Sequence, residues 1–173
     1  MVSSFGDPIQ LGESFIGEGP NAAHINTVLG RVGSSAEAAW ITALATPRAG
    51  FAPFVAVLQP GVPVKPFTLF ANKAAIESDA HATLTWGAAQ AGVAGGVADA
   101  VADGTIPAND VDELRIVVAV WVNPAANSEE EVFHNNREAT RRALAAGVAR
   151  HPSIADVLAA REHPFNPFFS NEQ

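Results

Sequence analysis

Four segments of the chain show the alternation of apolar and polar positions that is typical of β-strands. In residues 22–30 this alternation places His24 and Asn26 on one face of the predicted strand and Ile25 on the other. The other strands are predicted at residues 54–59, 67–76 and 114–122. Residues 60–66 contain three prolines, which have no N–H to donate to a sheet, so we expect the second strand to end before them.

Four further segments repeat their apolar residues at helical spacing. Helices are predicted at residues 34–46, 79–103, 128–146 and 153–162. Three glycines inside the second helix, Gly92, Gly95 and Gly96, each cost about 1 kcal/mol relative to alanine. Such a cost indicates that a neighbouring element packs close to the helix backbone.

The order of these elements predicts the fold. Strand, helix, strand, strand, helix, strand, helix and helix follow one another, which indicates an α/β (α+β) sandwich with helices packed on a mixed sheet of about four strands. No repeat or low-complexity linker divides the chain, so we expect residues 1–173 to form a single domain.

Composition and charge exclude several classes of function. The net charge of −8 argues against a nucleic-acid or anionic-membrane partner, because phosphate binding needs clustered Lys and Arg. The absence of cysteine excludes disulfides, thiolate catalysis and cysteine–zinc sites. The longest aliphatic run, residues 116–122, is too short to span a bilayer, and no signal peptide is evident. We therefore expect a cytoplasmic protein.

Three polar side chains in apolar surroundings are candidates for chemistry. His24 shares a strand face with Asn26, Lys73 stands in the apolar segment FANKAAI, and Gln90 lies on the glycine-containing helix near Trp86. Each has an ordinary structural explanation, since a lone strand histidine is more often structural, a lysine can extend from a strand edge and a helix glutamine can be solvated. Spacing alone does not make them converge. No cluster has metal-ligand spacing, so no metal is expected.

Several blocks of sequence, taken together, resemble the formaldehyde-activating enzyme family. They occur in the family's order and spacing: IGEGPNAAHINTVLG, FVAVLQPGVPVKPFTLFANKAAI, GAAQAGVAGGVADAVADGTIPANDVDELRIVVAVWV and NNREATRRAL. The resemblance covers about residues 12–165. Some family members are fused to a hexulose-phosphate synthase, and that segment is absent here.

The resemblance implies an activity, a fold and an assembly. The activity is condensation of formaldehyde with tetrahydromethanopterin to methylene-tetrahydromethanopterin and water, in the cytoplasm and without a metal. The implied fold is like the second domain of ribosomal protein S5, with a left-handed β–α–β crossover. The implied assembly is a homopentamer that binds the pterin between neighbouring subunits.

The resemblance also assigns roles to individual residues. The histidine of the family's AHID block is the proposed proton donor, and it corresponds to His24. An imidazole suits a general acid near neutral pH, because its unperturbed pKa is close to 6.5. The positions that contact the pterin in the family correspond here to Asn26, Val55, Lys73, Ala75 and Gln90.

Some of these positions depart from the family pattern. AHID is AHIN here, so an amide replaces the carboxylate at Asn26, and NKVTI is NKAAI, so Ala75 lacks a hydroxyl. Losing such a partner costs a polar ligand about 1–3 kcal/mol. The departures suggest a diverged paralogue, and two hypotheses follow. In the first, the protein is an enzyme that acts on tetrahydromethanopterin or another reduced pterin. In the second, it is a non-catalytic carrier or sensor that binds a pterin or a one-carbon unit. A scaffold without a ligand is the third possibility.

Overall fold

The computed structural model describes residues 9–166 and residue 169, so the predicted domain limits at residues 1 and 173 lie outside the described part. The strands are β1 (Ile9–Ile16), β2 (Ala23–Arg31), β3 (Phe54–Val55), β4 (Val57–Gln59), β5 (Val62–Pro63), β6 (Phe67–Asn72) and β7 (Leu114–Trp121). The helices are α1 (Ser35–Ala45), α2 (Asp79–Thr83), α3 (Gln90–Ala102), α4 (Glu129–Val148) and α5 (Ile154–Ala160). A π-helical turn, Leu84–Ala89, joins α2 to α3.

Five of the strands form one mixed sheet in the order β1-β2-β7-β6-β3. Only β6 and β7 run parallel, and α2 and α3 connect them as a β–α–β crossover. The strands β4 and β5 form a separate hairpin. The predicted mixed sheet with packed helices is confirmed, and it has five strands where about four were expected.

In the additional strand, β1, only Ile16 among the apolar side chains packs against the core, and Ile9, Leu11 and Phe15 lie on the other face. The buried positions of β1 are Gly12 and Ser14, whereas Leu11 is 67% exposed. A side chain at Gly12 could not be accommodated, because a Cβ atom there would lie 1.8 Å from the carbonyl oxygen of Ala143 in α4. The contact with α4 requires small residues in β1, so hydrophobic periodicity alone does not reveal this strand.

One predicted strand is divided into two, and another ends earlier than expected. The segment 54–59 is divided at the buried residue Ala56, so that β3 joins the main sheet and β4 pairs with β5 despite the prolines. The strand predicted at 67–76 ends at Asn72, whose side-chain amide donates to the carbonyl oxygens of Gly50 and Ala74 at 2.8 and 2.7 Å. This pair of hydrogen bonds holds the bend at residues 73 and 74 that follows the strand.

The close approach predicted for the glycine-containing helix is confirmed. Cβ atoms placed on Gly92 and Gly96 would lie 2.5 and 2.4 Å from carbonyl oxygens of α4. The two helices are also joined by the paired hydrogen bonds from Arg137 to Asp99, at 2.6 and 2.7 Å. The helices α3 and α4 pack on the inner face of the sheet, and the apolar core lies between them and that face.

The outer face of the sheet is covered only in part. Alternation along β2 and β7 buries Ile25 and Val120 in the core and turns His24 and Trp121 to the outer face. Helix α1 lies over the opposite end of this face, where Glu37 pairs with Arg115 at 3.6 Å. The end that carries His24 is left open.

Candidate functional site

Cross-strand register assembles the candidate site at the open end of the outer face. Phe15 of β1, His24 of β2 and Trp121 of β7 lie opposite one another in the ladder. Two register positions further along, and so on the same face, Glu13 lies opposite Asn26. Residues opposite one another across a ladder share a face, so three strands bring these side chains together.

Lys73 enters the site from the end of β6. Its backbone N–H continues the β6–β7 ladder by donating to the carbonyl oxygen of Val120 at 2.7 Å. From there the ammonium Nζ donates to Asn26 Oδ1 at 2.7 Å and lies 3.5 Å from Nδ1 of His24. The structure therefore brings three of the predicted residues, His24, Asn26 and Lys73, into contact.

Glu13 is the member of this group that the sequence did not indicate. Its Oε1 lies 3.0 Å from Nε2 of His24, with the two side chains 61% and 38% exposed. Both ring nitrogens of His24 therefore face polar partners, a carboxylate on one side and an amine on the other. Hydrophobic periodicity did not reveal β1, and it is the pairing of β1 with β2 that places Glu13 and Phe15 on the face of His24.

The lysine amine is easier to deprotonate than usual. Partial burial lowers the pKa of Lys73, and the negative charge of Glu13 opposes this by raising it. Asn26 is uncharged, so it accepts a hydrogen bond from Nζ without holding the group in its ionised form. The surroundings therefore increase the fraction of neutral amine.

Two adjoining cavities open at His24. The smaller, of about 270 Å³, is lined by Phe15, His24, Lys73 and Trp121. The larger, of about 1180 Å³, shares Phe15, His24 and Trp121, and it extends past Glu13 to the turn at residues 17–19 and to Phe165 near the C-terminus. The larger cavity has room for a pterin-sized ligand.

The other predicted contacts lie elsewhere in the chain. Gln90 is buried at the start of α3, on the inner side of the sheet, where its Oε1 accepts a hydrogen bond from Val57 N at 2.5 Å. Val55 lies opposite Leu69, three residues before β6 ends at Asn72, and Ala75 is exposed beyond Lys73. Within one chain, therefore, Gln90 does not join His24 and Lys73 at the open end of the sheet.

The described part of the chain offers no other obvious site. No group of three or more His, Asp or Glu side chains in residues 9–166 could hold a metal ion. The same residues include no helix long and apolar enough to cross a membrane. His81 is buried, but its two ring nitrogens are occupied by Glu77 N and the carbonyl oxygen of Val122.

Comparison with known proteins gives a match over nearly the whole chain. Residues 11–169 match the model of a family described as formaldehyde-activating enzyme (Fae). The chain is 41% identical, over 158 residues, to 5,6,7,8-tetrahydromethanopterin hydro-lyase of Methanosarcina barkeri, and the match covers 91% of this chain and 89% of that protein. It is also similar to bifunctional Fae/Hps enzymes of Archaeoglobus fulgidus and Methanosphaera stadtmanae, at 36% and 32% identity. The match spans 92–93% of this chain but 40% of the length of those two enzymes.

Proposed function

The chain belongs to the formaldehyde-activating enzyme family, and on this basis we propose that it condenses formaldehyde with tetrahydromethanopterin. The products are methylene-tetrahydromethanopterin and water, which makes the protein a hydro-lyase. The observation that carries the proposal is the open position of His24, between Glu13 and Lys73 at the junction of two cavities. A structural histidine would instead be enclosed, as His81 is.

His24 acts in this proposal as the general acid. A pterin amine adds to formaldehyde and gives a carbinolamine, whose hydroxyl must leave as water. Protonation of that hydroxyl by the imidazolium forms an iminium, which the second pterin amine closes into the methylene bridge with loss of a proton. Glu13 accepts a hydrogen bond from Nε2 and so fixes the ring orientation.

We propose that the pterin contacts Asn26 and Lys73 of one chain. It contacts Val55, Ala75 and Gln90 of a neighbouring copy in the assembly. These residues lie apart in one chain, which supports a ligand site shared by neighbouring copies. Exposed apolar side chains on α1 and in the β4–β5 hairpin, including Ile41 and Leu58, provide surface for such copies. We propose the homopentamer that the family resemblance implies, built from a single-domain chain and located in the cytoplasm.

Stopped-flow measurement of formaldehyde consumption with tetrahydromethanopterin tests the activity. We expect the wild-type rate to exceed the spontaneous rate, and His24→Ala to remove that excess, a loss of about 10²-fold or more for a general acid. His134→Ala is the matched control, because His134 is exposed on α4 and contacts Phe133 rather than the site. A wild-type rate equal to the spontaneous rate in buffer would refute the proposed enzymatic activity. Calorimetric titration with the pterin would then identify a carrier or sensor, because binding releases or absorbs heat.

A further inference from the structure

We propose that Lys73 captures formaldehyde covalently, as a carbinolamine and then an iminium on Nζ, before the carbon reaches the pterin. This inference deepens the proposed function and rests on it for the final transfer step. The capture itself needs only formaldehyde and this chain. It can therefore be tested without a pterin.

The geometry around Nζ is that of an amine placed to react. Lys73 lines the smaller cavity, which has aromatic walls in Phe15 and Trp121 and a volume of about 270 Å³, far more than formaldehyde requires. His24 and Trp121 also line the larger cavity, so a carbon bound on Nζ lies next to the space available for a pterin. A formaldehyde molecule can thus be held at the amine without blocking the second substrate.

The hydrogen bonds of Nζ are compatible with a neutral amine. A neutral amine has two N–H bonds and one lone pair. One N–H donates a hydrogen bond to Asn26 Oδ1. The lone pair can accept a hydrogen bond from Nδ1–H of protonated His24, and the Nε2–H of that ring then donates to Glu13. Lys73 and His24 can therefore share one proton, with the imidazolium between the amine and the carboxylate.

The reaction then balances with the groups present. The lone pair of Nζ attacks the carbonyl carbon, and proton transfer gives the carbinolamine Nζ–CH₂–OH. Imidazolium Nδ1–H protonates the hydroxyl, the C–O bond breaks, and water leaves the iminium Nζ=CH₂⁺. A pterin amine attacks this carbon and its proton passes to Nζ. The C–Nζ bond then breaks, so that Nζ departs as the neutral amine and the carbon remains as an iminium on the pterin. The second pterin amine closes the bridge with loss of a proton.

The chain contains only two lysines, which allows a direct test with an internal control. Lys65 is the second lysine; it is paired with Asp112 on the surface. The wild-type protein is mixed with formaldehyde near neutral pH without pterin, and a brief borohydride pulse reduces any iminium to N-methyllysine. Peptide mass spectrometry then compares methylation of Lys73 with that of Lys65 and of the N-terminal amine.

We expect methylation of Lys73 to exceed that of Lys65 several-fold, because Lys73 lines a cavity beside His24 and partial burial lowers its pKa, which leaves more of the amine neutral. His24→Ala should reduce labelling of Lys73 several-fold and leave Lys65 unchanged. Asn26→Asp places a carboxylate beside Nζ and should also lower the labelling of Lys73, because the carboxylate favours the ammonium form of the side chain. Equal labelling of Lys73 and Lys65 in the wild type overturns the proposal.

A second measurement separates this proposal from the proposed function. If Lys73→Arg retains the full pterin-dependent rate, capture at Lys73 is not on the reaction path and the inference is wrong. If Lys73 is labelled selectively but the wild type shows no pterin-dependent rate, the condensation fails and the capture stands. Loss of the pterin-dependent rate in Lys73→Arg, together with selective labelling in the wild type, supports both.

Discussion

Replacing Asn21 by alanine should destabilise the protein strongly, because its side chain joins the turn before β2 to the start of α4. The Oδ1 atom accepts hydrogen bonds from the backbone N–H groups of Asn127 and Ser128, at 2.9 and 3.1 Å. The Nδ2 group donates to Asn127 Oδ1 at 3.1 Å and to Glu131 Oε2 at 2.9 Å. Asn21 itself is only 7% exposed.

The size of the effect follows from these four hydrogen bonds. At roughly 0.5–1.5 kcal/mol each, and with water replacing some of them, Asn21→Ala should lose about 2–4 kcal/mol. For a chain of this size that corresponds to a fall in Tm of roughly 5–15 °C. The stability of Asn21→Asp should lie between that of the wild type and that of Asn21→Ala, because aspartate keeps the Oδ1 acceptor but places a second carboxylate beside Glu131.

Urea unfolding at one fixed protein concentration measures this change, since self-association would make the midpoint depend on concentration. Asn127→Ala is the matched control, because the exposed Asn127 side chain contributes one of the four bonds and its backbone N–H remains. We expect a loss of about 1 kcal/mol or less for the control. If Asn21→Ala costs no more than Asn127→Ala, the role assigned to Asn21 is refuted.

Two further predictions concern the packing of α3 and α4. Gly96→Ala should cost about 1–3 kcal/mol by overpacking against the Arg137 carbonyl. Gly87→Ala, where a Cβ atom would meet no neighbouring atom within 4 Å, should not lower the urea midpoint, and equal losses in the two variants would contradict the close approach. A second prediction concerns Glu138, whose pKa is lowered from 4.5 to about 2 by hydrogen bonds from Arg141. The ionised Glu138 side chain therefore stabilises the folded protein above pH 4.5, and this stabilisation is lost as the pH falls toward 2. The Glu138 side chain is 34% exposed, so solvent screening keeps its contribution small. We expect the free energy of unfolding of the wild type to exceed that of Glu138→Gln by about 1 kcal/mol at pH 6 and to equal it at pH 2. A difference that does not change with pH would refute this prediction.

The sequence identified most of the fold, and it failed where packing required an unusual residue. Alternation found β2, β6 and β7, and helical spacing found α1, α3, α4 and α5, because these elements bury ordinary apolar side chains on one face. It missed β1, in which Gly12 and Ser14 face the core. It also extended β6 past Asn72, because side-chain hydrogen bonds to Gly50 and Ala74, and not a change of polarity, end that strand.

By itself the sequence determined which chemical groups are available: an imidazole at position 24, one lysine in an apolar segment, no thiol, and an amide where the family has a carboxylate. Their order in the chain was enough to find the family. Only the tertiary structure decided that Glu13 and Lys73 meet His24 from opposite sides and that Gln90 does not. The reason is physical, since cross-strand register and the face on which a side chain emerges depend on which strands pair, and strand pairing is not encoded in local periodicity.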